Sequence, residues 1–515
     1  MTRVGMVPLK TEKILVDAVH GYVKTTDVEY EILQLPALNR LHHLKQMSLG
    51  YLVFPCASTS RFQHSLGTMH VASDMIQRML ESLEQEWLDE LFPGAKSETG
   101  CKALIQLVRL AALLHDIGHG PFSHASEGMM LDALSEADLG EARRLFGTAE
   151  REKIPVHEYC SYKMIRSPEI SDVLRNHGIT AEHVASLLVR DIKELPEICG
   201  KTGLEILRAV VSSQLDADRM DYLLRDSYMT GAPYGNVDID RIVMYMVIRR
   251  CKPTGFRLAV DERALPSVED MLDARFKMYK WVYGHHMVEA LNELVAAAMF
   301  ALIGEIKNIQ LEDFSWKNMM VGHMTDGLIL SALHRGLSQP ESKRTMSVFS
   351  GILDRRYLPV SLLKWHPMDY DRFQGLVSSH LGTKEKNDVL VQKLVTILRK
   401  LRNTTLTMPV DGKETSVALF PSPIIHSPYQ PHPREEELMG KSVAQGQVIY
   451  IYSEKQRDFM ELTKASPYLD AVNEEWSRFP SYHLAYVIHG LLKRDASKHR
   501  QAVEQEVINR ISGEI

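Results

Sequence analysis

An apolar run from Leu107 to Leu114 ends in His115-Asp116, followed by Ile117-Gly118-His119-Gly120-Pro121-Phe122-Ser123-His124. A helix suits that run, and two glycines and a proline stop it. Successive residues in mid-helix point about 100° apart, so an adjacent His-Asp pair serves one ion only where the backbone turns out of the helix. A neutral imidazole beside a carboxylate is a mixed nitrogen–oxygen donor set, suited to a divalent ion such as Zn, Fe, Mn or Ni. A lone His-Asp pair would read as a helix cap. Three histidines within ten residues, among glycines that open the backbone to close approach, read as a site.

Further segments carry matching chemistry. In Arg61-Phe62-Gln63-His64-Ser65 the arginine and histidine share one face of a helix. His124 and Glu127 have the same spacing, so the carboxylate can orient the imidazole as a general acid or base. In Asp216-Ala217-Asp218-Arg219-Met220-Asp221-Tyr222-Leu223-Leu224-Arg225-Asp226, helical spacing puts Asp218, Tyr222 and Asp226 on one stripe with Arg219 beside them. Asp221 and Arg225 read as a surface i,i+4 ion pair. Arg275, Tyr279, Tyr283 and His286 form a ladder at helical spacing, with His285 adjacent. Two His and two Asp can hold one divalent ion, which would lower the pKa of water and polarise phosphorus. Arginines would neutralise the remaining phosphate charge, so the set suits a phosphate-ester hydrolase.

The elements that must position these residues are mostly helical. Residues 14–30 read as an extended segment and a turn, followed by short helices around Pro36. Helices are expected from His64 to Leu83, through the central apolar run, and from about Asp218 to Ser227. A long one runs from Val268 to Ile303, interrupted near Gly284. Ile248 to Val260 is a hairpin candidate. Beyond Thr405, β-branched runs flank Asp411-Gly412, and Val448 to Tyr452 reads as a strand. The expected organisation is a mainly α protein: a helical core with a smaller α+β C-terminal region. Its parts are a catalytic domain over 1–305, a helical extension over 306–400 and a small α+β region over 401–515, in which 454–515 reads as helices.

Sixty Lys and Arg against 66 Asp and Glu give a net charge of -6, and no long basic block supplies the footprint of a duplex-binding protein. The five cysteines are scattered without a CxxC pair, which disfavours a disulfide framework or zinc ribbon and fits a reducing compartment. Met1 to Lys13 lacks the apolar stretch of a signal peptide, and no uninterrupted run of about 18 apolar residues is found, so a cytoplasmic protein without a membrane partner is expected.

The motifs Arg61-x-x-His64, then His115-Asp116-x-Gly118-His119-Gly120-Pro121-Phe122-Ser123-His124, then Asp216-x-Asp218-Arg219-x-Asp221-Tyr222, in that order, resemble the HD-domain metal-dependent phosphohydrolases. More narrowly they resemble the deoxynucleoside triphosphate triphosphohydrolases, from about Asp17-Ala18-Val19-His20-Gly21 to about His286. The resemblance implies hydrolysis of dNTPs to deoxynucleoside and triphosphate by metal-activated water attack at the α-phosphorus. It implies that His64, His115, Asp116 and Asp218 ligate one divalent ion (Mn, Fe, Zn, Ni or Mg), and that His124, Glu127 and His157 serve proton transfer at the leaving 5′-oxygen. Arg61, His119, Arg219 and Arg275 would contact the triphosphate. Gln46, Tyr222, Asp226 and Tyr283 would line the deoxyribose, with Tyr279 and His285 on the same substrate-facing ladder. A homo-oligomer, dimer or tetramer, is implied as well.

Other phosphoesters are the rival substrates: nucleoside monophosphates, cyclic nucleotides and single-stranded nucleic acid. A non-catalytic nucleotide sensor is the rival of a different class. The sequence departs from the family in four places, one of them Glu127, which stands at the position of a family Asp. No sterile-alpha-motif domain is expected ahead of the HD region. Arg219 stands where vertebrate members have Lys, a change from a point charge to a planar fork. Gln34 and His42 occupy positions where vertebrate members carry an Asp and an Arg that read an activating guanine nucleotide, so activity without that activator is expected.

Overall fold

The computed structural model describes residues 8–190, 196–251, 255–306, 309–337, 359–363, 405–423, 448–469, 482–488, 491 and 493–514. Most of the 306–400 segment, where a helical extension is expected, lies outside these residues. The chain opens with an antiparallel hairpin, β1 (Lys13–Asp17) and β2 (Gly21–Thr25), with Val16 opposite Tyr22. Three helices then build the site. Helix Arg61–Glu81 starts at a capping box, in which the Ser60 N–H donates to Gln63 Oε1 at 2.9 Å. Helix Glu98–Leu114 starts at Ser97, whose hydroxyl accepts from the Gly100 N–H, and ends at His115. Helix Ala217–Thr230 is capped by Asp216 and stops at Gly231, whose φ of 72° suits glycine.

The first of these helices is the centre of the core. Met69, Ala72, Met75 and Ile76 on it, and Leu104, Ile105, Val108 and Ala111 on helix Glu98–Leu114, are all buried. On its other side helix Ala217–Thr230 comes close at Gly67, where a Cβ would overlap Asp221 and Arg225. Glycine costs about 1 kcal/mol relative to alanine in a helix interior, and here it admits a second helix.

The candidate hairpin is confirmed as β3 (Met246–Cys251) and β4 (Gly255–Asp261), with Ile248 opposite Leu258. The long helix expected over 268–303 is Leu265–Met278, a π-helical turn at Tyr279–Tyr283, and Met287-containing helix His286–Ala301. The segment His286–Gly304 is long and apolar enough by composition to cross a membrane, with a mean hydropathy of 1.6. Ala290, Leu291, Leu294, Val295 and Ala298 are nonetheless buried against the rest of the protein, so it serves here as a core helix.

The C-terminal part differs from expectation. Strand β5 (Val360–Leu363) lies in the segment expected to be helical, and β6 (Thr405–Val410) and β7 (Lys413–Pro423) form a hairpin at Asp411-Gly412, both at positive φ. Strands β8 (Tyr450–Ser453), β9 (Asp458–Glu461) and β10 (Tyr482–Ile488) follow, then helix Arg500–Glu514, so 454–515 is not purely helical. Order β5-β10-β7-β6 makes one antiparallel sheet, which shares a core with Val503, Val507 and Ile508 of the last helix. β8 does not join it: β8 pairs in parallel with β4, Val260 opposite Ile451, and completes the sheet β3-β4-β8-β9. Residues 448–469 therefore pack with the first 300 residues, because Ile449, Ile451 and Leu462 are apolar on the side that meets that core.

Candidate metal and phosphoester site

His115 is the C-terminal cap of its helix, and its Nδ1–H donates to the Ala112 carbonyl at 2.7 Å. That bond fixes the tautomer and leaves the Nε2 lone pair bare. His64 has the same build: its Nδ1–H donates to Asp221 Oδ2 at 2.7 Å, leaving Nε2 free. Both Nε2 atoms are buried and have no hydrogen-bond partner. Around them lie Asp116, whose oxygens are 3.6 Å from His64 Nε2 and 3.4 Å from His115 Nε2, and Asp218, whose Oδ1 is 2.9 Å from the first and 3.6 Å from the second. The four expected ligands thus converge. Two orphaned nitrogens between two carboxylates fit a divalent ion, and His64, His115 and Asp116 alone already form a group able to hold one.

The electrostatics agree. Burial opposes charge on His64, but the neighbouring carboxylates of Asp218 and Asp221 outweigh it and raise the imidazole to about 10. Burial would raise the Asp116 carboxyl, yet Arg61, His115 and His119 hold it well below the usual range. Both shifts express a demand for positive charge at one point.

A second cluster adjoins the first. Glu127 Oε1 accepts from His157 Nδ1 at 2.6 Å and from His124 Nδ1 at 2.9 Å, and the His119 and His157 rings stack at 4.1 Å. Burial opposes charge on His157, but Glu127 overrides it and lifts the imidazole to about 9. Burial, then the charges of Arg61 and His157, push His119 well below its ordinary value, so it is neutral near pH 7.

The remaining expected residues surround these clusters. Arg61 pairs with Asp116, and its Nε–H donates to Ser123 Oγ at 2.9 Å. Arg219 pairs with Asp216 and the Ser213 carbonyl, with its Nε buried and unpartnered. Arg275 donates to Gln214 Oε1 at 3.2 Å and lies over the Tyr279 ring, its Nε likewise unpartnered. Tyr283 OH donates to Asp226 Oδ2 at 2.9 Å, leaving Asp226 Oδ1 without a partner. Burial raises that carboxyl to about 6 against the Tyr283 hydrogen bond. Tyr222 and Tyr279 meet Tyr283 edge-on at 6.0 and 5.1 Å. The π turn at 279–283 departs from the regular ladder and gathers these rings, a common use of π geometry at functional sites. Gln46 Oε1 is buried and unpartnered too. His285 caps the following helix, accepting from the Met287 N–H at 3.3 Å, and its ring meets Phe54 edge-on.

Sequence reasoning missed the groups behind the ligands. Asp221 and Arg225 are not a surface pair: they are 0% and 2% exposed. Asp221 binds His64 with one oxygen and, with the other, His20 Nε2 at 2.6 Å, while Arg225 reaches Asp17 at 2.8 Å. The available signal was Gly67, three residues after His64, because a missing Cβ marks where a second element comes close. Arg40 was also missed. It is buried, and its guanidinium donates to the carbonyls of Ile117 and His119, each at 2.7 Å, which holds the loop after His115.

Comparison with known proteins agrees with this geometry. Residues 61–223 match the HD domain family. An uncharacterized protein of Methanocaldococcus jannaschii is 30% identical over 374 residues, covering 72% of this chain and 64% of that protein. A Dictyostelium discoideum protein named deoxynucleoside triphosphate triphosphohydrolase SAMHD1 homolog is 28% identical over 318 residues, covering 59% of this chain and 52% of that protein. The chain therefore spans about half to just under two thirds of the length of these relatives. In fold it is similar to a hypothetical protein from Aquifex aeolicus, with a TM-score of 0.61 at 19% identity over 96% of this chain and 99% of that one. A phosphohydrolase from Bacteroides thetaiotaomicron gives a TM-score of 0.60 at 22% identity, over 93% and 99%. Residues 61–223 of the chain are therefore an HD domain, and the paired His and Asp donors of the site lie within it.

Proposed function

We propose that this protein hydrolyses deoxynucleoside triphosphates to deoxynucleoside and inorganic triphosphate. One observation carries the reading: of the 18 buried side-chain polar atoms without partners among the described residues, seven lie on the expected site residues, namely His64 Nε2, His115 Nε2, His119 Nδ1, Arg219 Nε, Arg275 Nε, Asp226 Oδ1 and Gln46 Oε1. Such atoms are costly unless a ligand satisfies them, and this set offers metal donors, guanidinium for phosphate and hydrogen-bonding groups for a sugar. The similarity to the Dictyostelium protein named as a deoxynucleoside triphosphate triphosphohydrolase supports the same substrate class.

A divalent ion held by His64, His115, Asp116 and Asp218 would lower the pKa of water and polarise a phosphoryl oxygen. Arg219 and Arg275 take phosphate oxygens, and His119, neutral and buried, adds no charge there. A water oxygen bonds to the α-phosphorus and gives up a proton to solvent, the bond to the 5′-oxygen breaks, and that oxygen receives a proton from the His157–His124–Glu127 group. Glu127 keeps His157 protonated at neutral pH, as an acid must be. Tyr222, Tyr279 and Tyr283 wall the sugar, with Asp226 for its 3′-hydroxyl, and a close wall rejects a 2′-hydroxyl by size.

The test is a product assay on the full chain reconstituted with Mn(II) and given dATP alone, read by phosphorus NMR. Inorganic triphosphate with deoxyadenosine is expected. Monophosphate, pyrophosphate or no product overturns the reading and directs attention to nucleoside monophosphates and single-stranded DNA.

A further inference from the structure

Asp326 lies beyond the matched residues 61–223, at the start of helix Asp326–Leu337, and it is buried. Its carboxylate faces inward and spans two loops. Oδ1 accepts the Phe122 N–H at 2.7 Å, and Oδ2 accepts the Lys45 N–H at 2.8 Å. Phe122 and the following Ser123 both have φ of 56°, a left-handed pair that non-glycine residues rarely adopt and that needs holding from outside. Lys45 precedes Gln46, and the Ser123 hydroxyl closes the gap between the loops by donating to the Lys45 carbonyl at 2.8 Å. Ser123 in turn accepts from Arg61, the partner of Asp116. The neighbouring Met324 carbonyl accepts from Arg40, which also holds the His119 carbonyl.

We propose that Asp326 is a positioning residue: a carboxylate from outside the HD domain holds the His119–His124 loop and the Gln46 loop at one spacing. The assignment rests on the phosphohydrolase reading above for its kinetic consequence, but not for its geometry. Its two oxygens are both used as acceptors of backbone N–H groups, so an amide in its place satisfies one loop and repels the other.

The experiment compares wild-type full chain with Asp326→Asn and Asp326→Glu. Amide hydrogen exchange at Phe122 and Lys45, Mn(II) affinity by calorimetry, and kcat and KM on dATP per Mn-loaded site are measured. For Asp326→Asn, exchange at those two amides accelerates while the core of helix Glu98–Leu114 stays protected. Mn(II) affinity stays within about twofold, and kcat falls about 10- to 100-fold, the scale of a small misplacement near reacting groups. Asp326→Glu keeps both acceptors and recovers part of kcat, and it also serves if the amide variant does not fold. A role confined to stability would lower the melting temperature and leave kcat per loaded site unchanged. That result, or unchanged protection of both amides in Asp326→Asn, overturns the assignment. Failure of wild type to cleave dATP, with the two amides responding as expected, sinks the substrate reading and leaves this one standing.

Discussion

Asp221 Oδ2 lies 2.7 Å from His64 Nδ1, across the junction of two helices that only a glycine at position 67 allows to meet. The bond sets which nitrogen of His64 carries the proton, and so which one can bind an ion. Arg225, tied to Asp17 as well, keeps the carboxylate charged in the interior. Replacing Asp221 by Asn should keep the shape and lose the charge-assisted bond. Mn(II) affinity should fall about 10- to 100-fold, as removal of such supporting carboxylates usually costs; calorimetry checks this. Asp218→Ala, by contrast, should end both ion binding and turnover with an unchanged far-ultraviolet circular dichroism spectrum.

Gly67→Ala should destabilise by about 1–3 kcal/mol, the usual cost of overpacking, since the added methyl overlaps Asp221 and Arg225. Urea unfolding should show a lower midpoint at unchanged slope, together with weaker Mn(II) binding. A wild-type midpoint would mean that the helices part without cost.

The Glu127–His157 pair predicts a pH profile. Burial works against charge on His157, but Glu127 raises it to about 9 from an ordinary 6.5. Because the folded value is the higher one, the stability this histidine contributes is complete below pH 6.5 and is lost as pH rises through about 9. Activity that needs protonated His157 should decline over the same upper range. In Glu127→Gln the alkaline limb of kcat should move down toward 6.5, the value of an unassisted imidazole. A limb that stays in place would remove His157 as the acid.

The tyrosine wall predicts sugar discrimination. Tyr222→Ala should raise ATP cleavage relative to dATP about tenfold, within the range a single steric contact controls. Equal loss on both nucleotides would assign the ring to binding alone.

His42 stacks on Phe62 with ring centres 3.6 Å apart, and burial together with the neighbouring His43 lowers its pKa, so it offers little charge to a guanine nucleotide. Adding GTP should change dATP turnover by less than about twofold, well short of the 5- to 150-fold range of typical allosteric coupling. A many-fold rise would overturn this expectation.

The candidate metal donors were legible in the sequence because their chemistry is local. A His-Asp pair at the end of an apolar helix, a histidine near the start of another and an Asp two residues after a capping Asp already define a donor set, and helical spacing separates one face from another. The mainly helical architecture and the β3–β4 hairpin followed from periodicity for the same reason. What tertiary structure alone decided depends on contacts between distant segments. The i,i+4 spacing of Asp221 and Arg225 is identical in a surface pair and in a buried one; packing against Gly67 and Asp17 made it the latter. Asp326 had no local signal at all, since its partners are the backbone N–H groups of Phe122 and Lys45, which every non-proline residue possesses. Likewise β8 left the later strands to pair with β4, because a strand's partner is chosen by which free edge and apolar face the rest of the fold presents, a property no short stretch of sequence contains.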